Sequence, residues 1–181
     1  MSEDRSIEEI GGNPIREVRP GELLRIYPNQ FESEQVVEPQ TRLCFFEVNY
    51  LVKRLSHVWD ILRDSGINVA RMRYELGLEL FKEHPPLDGV DFVTHIPKSP
   101  LDAARAYAEA SGVPRKELYY KLTEYDRAFM HPDMKGRVSA INDNLFVDPE
   151  MNPMADGRDF VSIDDSIIRL TNGPVARIKA E

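Results

Sequence analysis

One cysteine, one tryptophan and four histidines are all that the 181 residues offer of the side chains most often recruited to metals, redox chemistry and base stacking. With Cys44 alone, no intrachain disulfide can form and no cysteine-based zinc or iron–sulfur site can be completed from the chain. Long apolar runs are missing too, since no window approaches the ~18 residues that a spanning helix requires. The first residues, MSEDRSIEEIGG, are acidic and hold no apolar segment of the secretory kind, so a cytoplasmic location and no membrane partner are expected. Excess positive charge is also absent. The 31 acidic side chains outnumber 23 basic ones, giving a net charge of -8 and excluding the clustered cations of a nonspecific nucleic-acid binder. What remains, 41% hydrophobic and 30% charged, is the composition of a globular chain long enough for one core, and one domain is expected.

The charge is unevenly placed. Residues 1–40 carry 9 acidic and 4 basic side chains, residues 41–132 carry 13 of each, and residues 133–165 carry 8 against 3, so the acidity sits in an amino-terminal arm and one late segment. The arm, with Gly11-Gly12, Pro14 and Pro20-Gly21 between short apolar stretches, reads as loops and short strands on a surface. From Leu43 the texture changes. Leu43 to Val48 reads as a buried strand, and Val69, Met72, Leu76 and Leu80 recur at helical spacing until Pro85-Pro86. Val90 to Ile96 is a β-branched and aromatic run. It is followed by Ser99 as N-cap, Pro100 at N1, Asp102 at N3 near the positive end of the helix dipole, and Gly112 as the residue closing that helix. Glu117 to Lys121 then returns as a strand, a β-helix-β unit that favours a parallel pair. With a further strand at Phe160 to Ile163, the expected architecture is an open, mostly parallel α/β sheet with flanking helices.

Ligands of such sheets sit beyond the carboxyl ends of the strands. Two loops fall there, Pro97-Lys98-Ser99 and Asp164-Asp165-Ser166. Adjacent carboxylates after an apolar strand can accept the vicinal hydroxyls of a ribose or hold a hydrated Mg²⁺, both being tasks for hard oxygens. Taken alone, the same triplet is more often a turn with an N-cap.

Phe160-Val161-Ser162-Ile163-Asp164-Asp165-Ser166-Ile167-Ile168-Arg169 closely resembles the phosphoribosyl pyrophosphate (PRPP) motif of type I phosphoribosyltransferases. Within that superfamily the chain resembles the amidophosphoribosyltransferase family. Cys44 to Tyr50 is similar to the family's C-I-F-E-Y-V-Y strand, and Ile15 to Glu22 is similar to the R-D-V-x-P-G-E run that ends its glutaminase half. Lys121, Arg127, Phe129 and Pro132 fall where the family has K-N-R-Y-V-G-R-T-F-I-x-P. The resemblance covers roughly residues 14–173 and divides the chain into an arm, 1–40, and a phosphoribosyltransferase-like domain, 41–181. It implies displacement of pyrophosphate from PRPP by ammonia, an early step of purine synthesis. Asp164 and Asp165 would bind ribose hydroxyls and Mg²⁺ with Ser99, Ser166, Arg169 and Thr171 would cradle the sugar phosphate, and Lys121 and Arg127 would meet the pyrophosphate. Some relatives carry an iron–sulfur cluster on the cysteine matched by Cys44, but its other ligands have no counterpart and no cluster is expected.

The chain departs from the family at these same loops. Leu170 replaces a glycine of the phosphate loop, Lys98 replaces an acid in the pyrophosphate loop, and Leu122, Thr123, Glu124 and Asp126 stand where the family has Asn, Arg, Tyr and Gly. The chain begins Met1-Ser2 rather than with a cysteine nucleophile, so it is not expected to release ammonia from glutamine. The ten residues after Thr171 are too few for the family's next helix and strand, which leaves a sheet edge to be covered by a second copy or a partner chain. Besides a transferase, the alternatives are a binding module that keeps PRPP or a nucleotide monophosphate without turnover, and a fragment completed by another chain. His57, His84, His95 and His131 are expected on the surface or in loops.

Overall fold

The computed structural model describes residues 3–42, 44–58, 60–123, 128–166 and 172–180. They form two compact units, 1–69 and 70–181.

In the first unit, helix α1 (Asp4–Glu9) is tied to residue 57, where Asp4 accepts from the His57 backbone N–H at 2.8 Å and its other oxygen lies 2.8 Å from His57 Nδ1. Strands β1 (Glu22–Ile26) and β2 (Phe31–Gln35) form an antiparallel hairpin, with Glu22 opposite Gln35 and Ile26 opposite Phe31. The Glu22 carboxylate anchors it by accepting from both Arg16 guanidinium nitrogens, from the Ser33 hydroxyl and from the Arg19 backbone N–H at 2.7 Å. Arg16 above all holds that carboxyl down at about 2. The strand expected over residues 43–48 is not found. Phe45 and Phe46 are helical and Glu47–Leu51 forms a π-helical turn closed by Val52 N–H donating to the Glu47 carbonyl at 3.0 Å. Phe46 and Tyr50, four residues apart, stack at 5.1 Å on one side of this turn, a pairing that helical geometry permits and a strand would not. Cys44 is exposed rather than buried. The short helix α2 (Asp60–Asp64) follows, Arg63 donating to Asp60 one turn back.

The second unit is built around helix α3 (Val69–Glu83), strand β3 (Phe92–His95), helix α4 (Leu101–Ser111), strand β4 (Tyr119–Lys121), helix α5 (Met134–Asn144), strand β5 (Leu145–Val147), the single turn α6 (Asn152–Ala155), strand β6 (Phe160–Ile163) and helix α7 (Asn172–Ala180). β3 and β6 pair in parallel, Phe92 opposite Phe160 and His95 opposite Ile163. All four β3 residues are buried because both faces of the strand are covered, which is why the run reads as continuously apolar instead of alternating. Phe92 packs with Leu118, Ile141, Leu145 and Val175 on one face, and Val93 with Ala104, Tyr107 and Ile163 on the other. This is the expected α/β arrangement, a parallel sheet with flanking helices.

Three local expectations change. α4 starts one residue late, with Pro100 rather than Ser99 at the N-cap and its carbonyl accepting from Ala104 N–H at 2.8 Å; Gly112 closes the helix as expected, at φ 73°. The return from α4 touches β3 in parallel only at Val93 and Arg115, because the Thr94 hydroxyl takes the Leu118 N–H at 3.2 Å. β4 then pairs antiparallel with β5. Finally, a helix does follow the PRPP-like motif: α7 packs through Val175 and Ala176 into the core, and the Tyr119 hydroxyl donates to the Ala176 carbonyl at 3.1 Å.

Helices α3 and α4 approach so closely at Gly77 that a Cβ there would lie 2.1 Å from the Ala103 carbonyl oxygen. Gly77→Ala is therefore expected to cost about 1–3 kcal/mol in urea unfolding. Unchanged stability would contradict this contact.

Candidate functional site

The parallel register decides what meets at the carboxyl end of the sheet. The Ile96 N–H donates to the Ile163 carbonyl at 3.0 Å, one step past the last paired residues, so Pro97-Lys98-Ser99 and Asp164-Asp165-Ser166 leave the two strands side by side. The Pro97–Lys98 peptide is cis. Lys121, the last residue of β4, stands close enough for its ammonium to act on both Asp164 and Asp165.

The Asp164 carboxylate is held from two directions. Its Oδ1 accepts the Asp165 backbone N–H at 2.9 Å, and its Oδ2 accepts from the Asn172 side chain, the first residue of α7, at 2.8 Å. Burial pushes the Asp164 carboxyl up, and these two donors, with Lys121, pull against it. Burial, reinforced by the neighbouring Asp164 charge, pushes Asp165 up to about 7. Burial lowers the Lys121 ammonium, an effect the two carboxylates oppose and Lys98 adds to. Asp164, Asp165 and Lys121 thus form a partly buried charge cluster.

Ser166 is partly buried directly after the pair, and Ser99 is partly buried in the adjoining loop. Arg127, Arg169 and Thr171 lie outside the described residues, as do Leu170, Glu124 and Asp126. Two participants escaped sequence reading. Arg73, on α3 and 5% exposed, places its charge against Asp165. Asn144, buried at the end of α5, accepts the Thr123 N–H at 2.8 Å and donates to the Thr123 carbonyl at 2.9 Å, clamping the chain just beyond Lys121. Neither belongs to a motif. His95, expected on the surface, is buried in β3 with Nδ1 lacking a hydrogen-bond partner among the described residues; burial, then Arg115, keeps it neutral-favouring.

The Mg²⁺ implied for Ser99, Asp164 and Asp165 does not fit this donor set as a protein-held ion. Mg²⁺ can bind through one or two carboxylates completed by ligand oxygens. Here, however, Lys121 already opposes both carboxylates, Arg73 opposes Asp165, and Lys98 occupies the position where the family has an acid. Among the described residues no group of three His, Cys, Asp or Glu side chains could hold a metal.

The fold is that of a phosphoribosyltransferase-type α/β protein, with paired carboxylates at the end of a parallel strand and cations around them. No protein-family model matches the chain. Amidophosphoribosyltransferases of Methanothermobacter thermautotrophicus and Bacillus subtilis are 35% and 32% identical to it, each alignment covering 94% of this chain and 34% of the relative. A solved glutamine PRPP amidotransferase from B. subtilis, complexed with ADP and GMP, superposes over 98% of this chain and 37% of its own length at 29% identity, with a TM-score of 0.75. A structure described as the allosteric regulatory enzyme of purine biosynthesis does so over 99% and 36%, at 29% identity and a TM-score of 0.76. The chain is a partial-length relative of the amidophosphoribosyltransferases and spans about a third of the length of the relatives it matches. No helix among the described residues is long and apolar enough to cross a membrane.

The charge cluster has a signature in stability. An unfolded Asp165 carboxyl titrates near 3.8 and the folded one at about 7, so between these values the folded state retains a proton that the unfolded state has lost. Raising the pH through this window therefore removes stability, at most about 1.4 kcal/mol per pH unit, and the loss is complete above 7. Asp165→Asn is expected to flatten the slope in urea unfolding across the window. Equal slopes in both proteins would contradict the assignment.

Proposed function

We propose that the site binds the phosphoribosyl group of PRPP, and that the chain contributes the transferase portion of a reaction in which ammonia displaces pyrophosphate. The observation that carries this reading is the Asp164-Asp165 pair at the end of β6, facing Lys121 beside the Pro97-Lys98-Ser99 loop. Ribose hydroxyls donate to carboxylates, and vicinal hydroxyls need two acceptors in adjacent positions, which consecutive aspartates supply. Lys121 then lies where the charge of a departing pyrophosphate would be met, a placement that favours the leaving state. Ser166, Arg169 and Thr171 complete the reading as the cradle of the 5-phosphate, and Arg127 as a second cation at the pyrophosphate. Mg²⁺ enters this reading only as an ion carried on the ligand's own oxygens, and no step depends on it.

The reading brings with it a division into an arm, 1–40, and a transferase-like domain, 41–181, and a cytoplasmic location. Binding of PRPP or a nucleotide monophosphate without turnover is the second reading. It is favoured by Leu122 and Thr123, which stand where the family has Asn and Arg.

Calorimetric titration with PRPP tests the first. Charge-assisted hydrogen bonds contribute roughly 1.5–3 kcal/mol each. Asp164→Ala and Asp165→Ala are each expected to weaken binding by about 10- to 100-fold. With PRPP bound, pyrophosphate release should follow on adding ammonia. Unchanged affinity in both variants would overturn the assignment of the carboxylates, and binding without pyrophosphate release would leave the second reading.

A further inference from the structure

Four elements place charge at the carboxyl end of the sheet. β6 delivers Asp164 and Asp165, β4 delivers Lys121, α3 delivers Arg73, and the loop after β3 delivers Lys98. The hydrogen bond from Ile96 N–H to the Ile163 carbonyl keeps that loop adjacent to the carboxylates, and the Leu101 N–H, donating to the Lys98 carbonyl at 3.2 Å, ties Lys98 to the head of α4. Lys98 is exposed while Lys121 is partly buried, so one ammonium stands at the rim and one in the wall, near enough to repel each other. Among the described residues, three cations facing two carboxylates make this site a poor host for a divalent cation and a good one for a polyanion.

We propose that Lys98 and Lys121 together hold the pyrophosphate arm of the ligand by direct ammonium–oxygen contacts, so that this arm binds without a divalent cation. An ammonium offers up to three donors to phosphate oxygens and neutralises charge as it does so, which is the service a bridging metal otherwise provides. The proposal rests on the phosphoribosyl reading above and makes Lys98, a departure from the family pattern, the residue that sets the metal requirement.

The test is calorimetry of the full chain with inorganic pyrophosphate and, separately, ribose 5-phosphate, each in EDTA and in excess Mg²⁺. The protein is expected to bind pyrophosphate in EDTA as tightly as in Mg²⁺. Lys98→Glu should weaken pyrophosphate in EDTA by about tenfold or more, with ribose 5-phosphate unchanged. Lys98→Ala should show the same loss, smaller in size, and Lys98→Arg should retain binding. Pyrophosphate binding that requires Mg²⁺, with ribose 5-phosphate bound in either condition, would overturn the metal-free contact and leave the phosphoribosyl reading standing. Failure of both ligands to bind in any condition would overturn that reading and this inference with it.

Discussion

The parallel ladder between β3 and β6 is the constraint on which the rest of the second unit depends. It is four residues long, yet a parallel pair puts the carboxyl ends of both strands at the same edge, and the register of His95 with Ile163 sets which loop residues emerge together. A one-residue slip would turn Phe92 and Val93 to the wrong faces and separate Lys98 from the aspartates. The apolar contacts on both sides of β3 hold that register. Core packing and site geometry are thus one property of the chain, since the side chains that make β3 continuously buried also fix where its loop begins.

At that edge the structure carries an electrostatic cost. Two adjacent carboxylates are partly buried, where burial raises the cost of ionising both and the Asp164 charge adds to that of Asp165, and Lys121, Arg73 and the amide of Asn172 offset that cost without removing it. A fold selected for stability alone would have no use for such a pair. Hydroxyl donors arriving on a ligand would offset that cost in the bound state.

Much of this was legible in the residues and some was not, for identifiable reasons. The Asp164-Asp165 pair was singled out because Phe160 to Arg169 resembles the PRPP motif, the triplet alone reading as a turn with an N-cap, and Gly112 was readable because a left-handed closing residue explains glycine there. Residues 43–48 misled because Phe46 and Tyr50 suit a strand by composition while their four-residue spacing lets them stack on a helical turn. The antiparallel β4–β5 pairing was hidden because a threonine hydroxyl at Thr94, invisible to periodicity, interrupts the parallel ladder. Arg73 and Asn144 were missed because their roles come from tertiary placement: one reaches the site from a helix, the other clamps Thr123 from 21 residues away. His95 was misjudged because a lone histidine in a short strand gives no sign of being covered on both faces.

The central claim is that the paired carboxylates are held ready for ligand hydroxyls, and carbon-13 NMR titration of the aspartate carboxyls addresses it most directly. In the free protein, one carboxyl of the Asp164-Asp165 pair is predicted to titrate near 7, and saturating ribose 5-phosphate should bring it down as hydroxyl donors stabilise the ionised form. Both carboxyls titrating in the ordinary range near 3.8, unmoved by the ligand, would contradict the account.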